Sequence, residues 1–152
     1  MINVCRIISG GQTGVDRAAL DFALARRIEA GGWCPKGRKA EDGLIPVYYP
    51  LLETHRSDYP YRTMLNIMDS DGTLILFQGQ LRGGSALTWR SALQLKLPCL
   101  LVDLHGDWNL QDIAHWLEQN AVKILNVAGP RESENRGIHR MALAFLQRLW
   151  DG

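Results

Sequence analysis

A chain of 152 residues, 46% of them hydrophobic, is long enough for one well-packed domain and short for two, so a single domain over 1–152 is expected. Seventeen Lys and Arg against sixteen Asp and Glu leave a net charge of +1, without the basic excess that non-specific nucleic-acid binding draws on. Cys5, Cys34 and Cys99 are far apart, with no C-x-x-C and no His at metal-binding spacing, which argues against a disulfide framework and a metal site alike.

No apolar run reaches transmembrane length, and Met1 to Ser9 lacks the charged start and apolar core of a signal peptide, so a cytoplasmic protein away from membranes is expected. Short β-rich runs alternate with helical patterns from end to end. That order is expected of a Rossmann-like, three-layer α/β/α domain with a mostly parallel sheet.

The first strand is predicted over Val4 to Ser9 and the first helix over Asp16 to Ala30, with Ala19, Leu20, Ala23, Leu24 and Ile28 on one apolar stripe. The join, Ser9-Gly10-Gly11-Gln12-Thr13-Gly14-Val15-Asp16-Arg17, is the most informative stretch of the chain. Its glycines allow a sharp turn and close approach to a ligand, and the helix that follows offers free N–H groups and a positive dipole end to an anion. The spacing is neither G-x-G-x-x-G nor G-x-x-x-x-G-K-[ST], so no standard dinucleotide site or ATP-hydrolysing loop is claimed. A tight turn capped by Asp16 or Thr13 is the alternative.

A second strand is predicted over Gly32 to Cys34, followed by a long irregular segment, Pro35 to Pro46, of the kind often functional in a compact domain. A third strand over Val47 to Glu53 is the weakest, because Pro46 and Pro50 restrict its backbone. Leu44, Ile45 and Tyr48 mark a candidate face for a homo-oligomer, a dimer or tetramer. A helix over Pro60 to Met68 leads into Asp69-Ser70-Asp71-Gly72, an acidic turn on the side of the sheet away from the crevice. Further strands are predicted over Thr73 to Phe77, Cys99 to Asp103 and Lys123 to Val127. Helices follow them over Ser85 to Leu95, Leu110 to Gln119 and Gly137 to Trp150. Cys5 and Cys99 read as small core hydrophobes, Cys34 as an inert buried thiol, and Trp33 and Trp108 as the tryptophans nearest a ligand.

Ligands of open parallel sheets bind outside the carboxyl ends of the strands. There the chain places Gly10, Gly11, Gln12, Thr13, Gly14 and Asp16 after the first strand, and Lys36, Arg38 and Lys39 after the second. Glu53 and His55 follow the third, and Arg131 the last. Gly83-Gly84-Ser85 opens a helix as Gly10 to Gly14 does, so two cradles could converge on one anion, with Lys36, Arg38 and Arg131 adding charge-assisted bonds. Taken singly, charges such as Lys39 and Arg136 read equally well as solvated loop residues. No Ser-His-Asp or paired-carboxylate spacing stands out; His55 and His105 are candidate proton carriers.

These residues in order resemble the molybdenum carrier proteins, the circularly permuted YpsA-like branch of the SLOG/LOG group of Rossmann-like domains. The resemblance runs through Ser9 to Ala19, Gly32 to Arg38, Tyr61-Arg62-Thr63, Asp69 to Thr73 and Asn126 to Ser133. It implies binding of the molybdenum cofactor, a pterin with a terminal phosphate and a bound oxo-metal, or else of a nucleotide. Gly10, Gly11, Thr13 and Gly14 would then form one cradle, Gly83, Gly84 and Ser85 the second, and Lys36, Arg38, Arg62 and Arg131 would neutralise the anion.

The LOG phosphoribohydrolases carry an Arg upstream of a P-G-G-x-G-T-x-x-E loop, and Arg62 followed by Gly83-Gly84-Ser85 is similar in order. Ala86-Leu87 replaces the Gly-Thr of that loop and Arg90 its Glu, which removes the carboxylate such hydrolysis uses. If the protein is an enzyme, it is read as an N-glycosidic nucleotide hydrolase with Arg62 and Glu53 as catalytic candidates; binding without turnover is the favoured reading. The DNA-processing protein DprA has a turn similar to Ser9 to Asp16, which makes a single-stranded DNA-binding module the third reading; a net charge of +1 argues against it, because single strands need a basic track.

Overall fold

A computed structural model describes residues 2–152. The first strand, β1 (Arg6–Ile8), runs into helix α1 (Val15–Arg26). The helix stops where Arg27 adopts a left-handed conformation (φ 57°) and the Ile28 N–H bonds back to the Ala23 carbonyl, an end of the Schellman type. The apolar period continues through Ile28, which packs against the core from outside the helix. This end frees Glu29–Gly31 to form β2, four residues short of the predicted helix terminus.

The second predicted strand is therefore displaced. β2 lies in the main sheet, Gly32 turns the chain at φ 126°, and β3 (Trp33–Cys34) leaves to pair in parallel with β6 (Leu52–Glu53) in a separate two-stranded sheet. Of the third predicted strand only this β6 remains, since Pro46 and Pro50 hold Val47 to Leu51 in turns. The segment expected to be irregular contains an antiparallel hairpin, β4 (Lys39–Ala40) with β5 (Gly43–Leu44).

The rest follows the apolar periods closely: α2 (Tyr59–Met68), β7 (Gly72–Phe77), α3 (Gly83–Leu95), β8 (Cys99–Asp103), α4 (Leu110–Gln119), β9 (Ile124–Ala128) and α5 (Ile138–Asp151). The five-stranded sheet has the order β2-β1-β9-β7-β8, and every pairing in it is parallel. Ile7, Leu74, Leu76, Leu125 and Val127 face α1, α4 and α5 in the larger core. On the opposite face, where α2 packs on α3, Asn126 Nδ2 donates to Thr73 Oγ1 at 3.2 Å. Chain leaving β1 goes to one layer and chain leaving β7 to the other, so a crevice opens above β9 between them.

A smaller core of Leu20, Cys34, Ile45, Tyr49 and Leu51 seats the 35–53 region on α1. Ile45 is therefore interior, contrary to the expected oligomer face, while Leu44 and Tyr48 are exposed. Cys5 is exposed and Cys99 only half-buried, so neither is the core residue expected; Cys34 is buried, and that burial raises its thiol pKa. Among the described residues no helix is long and apolar enough to cross a membrane.

Candidate functional site

A cavity of about 260 Å³ occupies the crevice at the carboxyl ends of the sheet. Its outer wall is the start of α3. The N-cap residue Arg82 is extended and supplies no side-chain cap, so the first-turn N–H groups of Gly83, Gly84 and Ser85 have neither an intrahelical acceptor nor a capping oxygen. Ser85 is only 4% exposed, and its hydroxyl makes no hydrogen bond. A buried hydroxyl without a partner costs free energy, which makes it informative in a cavity wall beside a positive helix end.

The first glycine turn behaves differently, although its sequence resembles a cradle more strongly. Gln12 N–H donates to Asp16 Oδ2 (3.2 Å), Thr13 N–H to Gln12 Oε1 (3.1 Å) and Val15 N–H to the Pro130 carbonyl (3.2 Å). Most donors of the turn are thus satisfied within the protein, and only Gly10, Gln12 and Asp16 of it line the cavity. Gly11 (φ 78°) lies against Leu51 and Ile45, and Gly14 (φ 81°) against the Pro130 carbonyl, where a Cβ would overlap. Thr13 bonds Glu41 and accepts from Glu132 N–H outside the cavity. Gly11, Thr13 and Gly14 shape the turn and do not line the cavity.

Asp16 and Arg62 form the inner wall. Burial raises the Asp16 carboxyl from 3.8 to about 6, against the opposing pull of Arg62, the Gln12 amide and Arg17. Arg62 Nη1 donates to the Gly10 carbonyl at 2.7 Å and lies 3.7 Å from Asp16 Oδ2, with its guanidinium over the Tyr59 ring. Tyr59, Thr63 and Asn66 complete the α2 side, and Thr88 and Asn126 the floor.

On the loop after β9, Arg131 lines the cavity with Glu134. Arg131 Nε is 3.1 Å from Glu134 Oε1 and 3.6 Å from Glu41 Oε1, yet it is buried without a well-aligned hydrogen bond. Glu41 pins this loop from the tip of the β4–β5 hairpin by accepting from the Ser133 hydroxyl and N–H.

Other residues singled out from the sequence lie elsewhere. Arg38 directs its guanidinium at the carbonyls of Ile45, Pro46, Tyr49 and Leu51, so most of its donors organise a loop, and it does not line the cavity. Lys36 is outside the cavity, with its N–H on the Arg56 carbonyl, and Glu53 accepts from Gly37 N–H. Trp33 donates to Asp69, and Trp108 packs on Phe145. His55 lies against Tyr61, and His105 contacts Gln78. Asp71 accepts from the N–H groups of Lys123 and Ile124 at the amino end of the sheet, a turn role as expected.

Gly10, Gln12, Asp16, Arg62, Gly83, Gly84, Ser85 and Arg131 are thus brought together. Glu134 joins them as one of the acidic residues that the sequence places on the crevice loops, and Tyr59 and Asn126 join them without being site candidates in the sequence. Asn126, a polar residue inside an apolar strand, is the legible signal of these two. Among the described residues no group of three or more His, Cys, Asp or Glu could hold a metal ion.

The model of the circularly permutated YpsA SLOG family matches residues 7–150. A crystal structure described as a "Putative molybdenum carrier protein" from Syntrophus aciditrophicus SB superposes with a TM-score of 0.93 at 47% identity, covering 97% of this chain and 96% of that one. No curated protein matches the chain at a significant level.

Proposed function

The chain belongs to the circularly permutated YpsA SLOG family, and on that premise we propose that it binds a phosphate-bearing small molecule in the crevice above β9. The most concrete candidate is the molybdenum cofactor, carried as cargo as the name of the 47% identical protein suggests; a nucleotide is the alternative ligand. The observation that carries this reading is the uncapped start of α3 with the unpartnered Ser85 hydroxyl beside it. A phosphate oxygen there would accept from the Gly83, Gly84 and Ser85 amides and from Ser85 Oγ, with Arg131 close enough to redirect its buried donor. The inner wall suits the organic part, because Asp16 and Asn126 can accept from ring N–H groups.

A cavity of about 260 Å³ is at or below the ~300–1,000 Å³ usual for drug-sized ligands, which favours one ring system with one phosphate over a dinucleotide. Molybdenum would arrive already held by its pterin, a cargo that asks for no protein ligand set. N-glycosidic hydrolysis in the same crevice is less well supported, because Arg62 lines the cavity and Glu53 does not. A cytoplasmic setting and homo-oligomeric assembly belong to the same reading.

Thermal shift with AMP, GMP, molybdopterin and a short single-stranded DNA tests the proposal. A ligand at a hundred times its Kd should stabilise the wild type by about 2.7 kcal/mol. The effect should be sharply reduced in Ser85→Ala, whose own melting temperature is at or above that of the wild type because the hydroxyl makes no bond. Stabilisation by DNA alone, or by none of the phosphates, would overturn it.

A further inference from the structure

The anion site proposed at α3 already has a negative group beside it. Glu134 Oε2 lies 3.4 Å from where a Cβ on Gly83 would project, so this carboxylate sits at the mouth of the cavity against the first residue of α3. It is held there by more than chance rotation. Its side chain is 30% exposed, Glu134 N–H bonds the Arg131 carbonyl (3.0 Å), and Arg131 Nε approaches its Oε1 at 3.1 Å. The preceding residue, Ser133, is fixed to Glu41, and Glu132 accepts from the N–H groups of Gly137 and His139. The loop that carries Glu134 is thus anchored on both sides of it.

A carboxylate is an odd neighbour for a phosphate. It is itself favoured by the positive end of α3, and it repels a second anion approaching the same N–H groups. The charges lining the cavity also balance, Asp16 with Arg62 and Glu134 with Arg131, so the uncapped helix start and the Ser85 hydroxyl are the attractive features left unmatched. A small free oxyanion would gain only those contacts and would meet Glu134 in full. A phosphate ester gains them together with contacts of its organic part to Asp16 and Asn126, which can offset the repulsion and turn Glu134 and Arg131 aside.

Resting on the reading above, we infer that Glu134 is a selectivity residue that excludes free inorganic oxyanions from the α3 site, phosphate and molybdate included, and admits organic phosphomonoesters. Specificity here comes from a repulsive element as much as from an attractive one. The ligand is accordingly taken up as an intact ester and is not assembled in the cavity from a free oxyanion.

Isothermal titration of inorganic phosphate, and separately of molybdate, into wild type, Glu134→Gln and the double variant Glu134→Gln with Ser85→Ala tests this, with the ester that stabilises the wild type as a third titrant. The amide keeps the size of the side chain and its ability to accept from Arg131. We expect Glu134→Gln to bind inorganic phosphate at least about tenfold more tightly than the wild type, with a smaller gain for the ester, and the double variant to lose the gain. Equal phosphate affinity in wild type and Glu134→Gln, with the ester still bound, would overturn the selectivity role and leave the site standing. A gain undiminished in the double variant would remove the Ser85 hydroxyl from phosphate binding and overturn both. No binding of the ester to any of the proteins would overturn the underlying reading itself.

Discussion

Asp16 keeps a carboxylate in the inner wall of the cavity at a cost to the folded state. Burial holds its pKa near 6 against 3.8 in a solvated chain, so the folded protein binds this proton more tightly than the unfolded one. Its contribution is therefore most favourable below pH 3.8 and is lost as pH rises from there through about 6. Above that pH the deficit is on the order of 3 kcal/mol for a shift of this size. Asn at this position would still accept from Gln12 N–H without the charge. We expect Asp16→Asn to be more stable than wild type in urea at pH 7.5, with the advantage shrinking towards pH 4. A variant less stable than wild type at both pH values would mean that the ionised carboxylate stabilises the fold through Arg62. Retention of a group that weakens the fold is itself a reason to assign Asp16 to binding.

The 35–53 region shows what sequence could and could not convey at the scale of elements. Its cations sit between glycines after a strand, the pattern of an anion-binding loop, and Arg38 was read that way. The fold uses its planar, multiply donating head to gather four carbonyls from 45–51 instead, above a small core of Ile45, Tyr49 and Leu51. Lys cannot reproduce that fork. Arg38→Lys should therefore lower stability by about 2 kcal/mol or more and speed hydrogen exchange at the amides of 45–51, while ligand affinity of the folded protein is unchanged. A selective loss of ligand affinity with normal exchange would return Arg38 to the site. The displaced strands have the same kind of cause: Ile28 extends the helical period of α1, but one left-handed residue, Arg27, ends it, and periodicity does not report such a turn. Strands β7, β8 and β9, with largely apolar runs, and helices α3, α4 and α5 are legible to within a residue or two.

For the whole molecule, alternation of strand and helix conveyed the parallel sheet and thus the crevice at its carboxyl end, because connections between parallel strands must return across a face. The order β2-β1-β9-β7-β8 was not legible, since it depends on which strands meet over long separations. That order brings α3 and the loop after β9 to the two sides of one cavity, so residues about fifty positions apart, Ser85 and Glu134, become neighbours of one ligand. Two glycine turns that looked alike in sequence also differ for a reason visible only in three dimensions: the first has most of its amides satisfied through Asp16, Gln12 and Pro130, while the second has nothing to satisfy them.

Reception of a phosphate group at the start of α3 is tested by amide chemical shifts in the ¹⁵N-labelled protein titrated in turn with molybdopterin, AMP and GMP. At least one of them should move the Gly83, Gly84 and Ser85 amides downfield in a saturable way, with smaller changes at Gly11, Thr13 and Gly14. Saturable shifts centred on Gly11 to Gly14 with α3 unmoved, or no saturable shift with any of the three, would contradict the account.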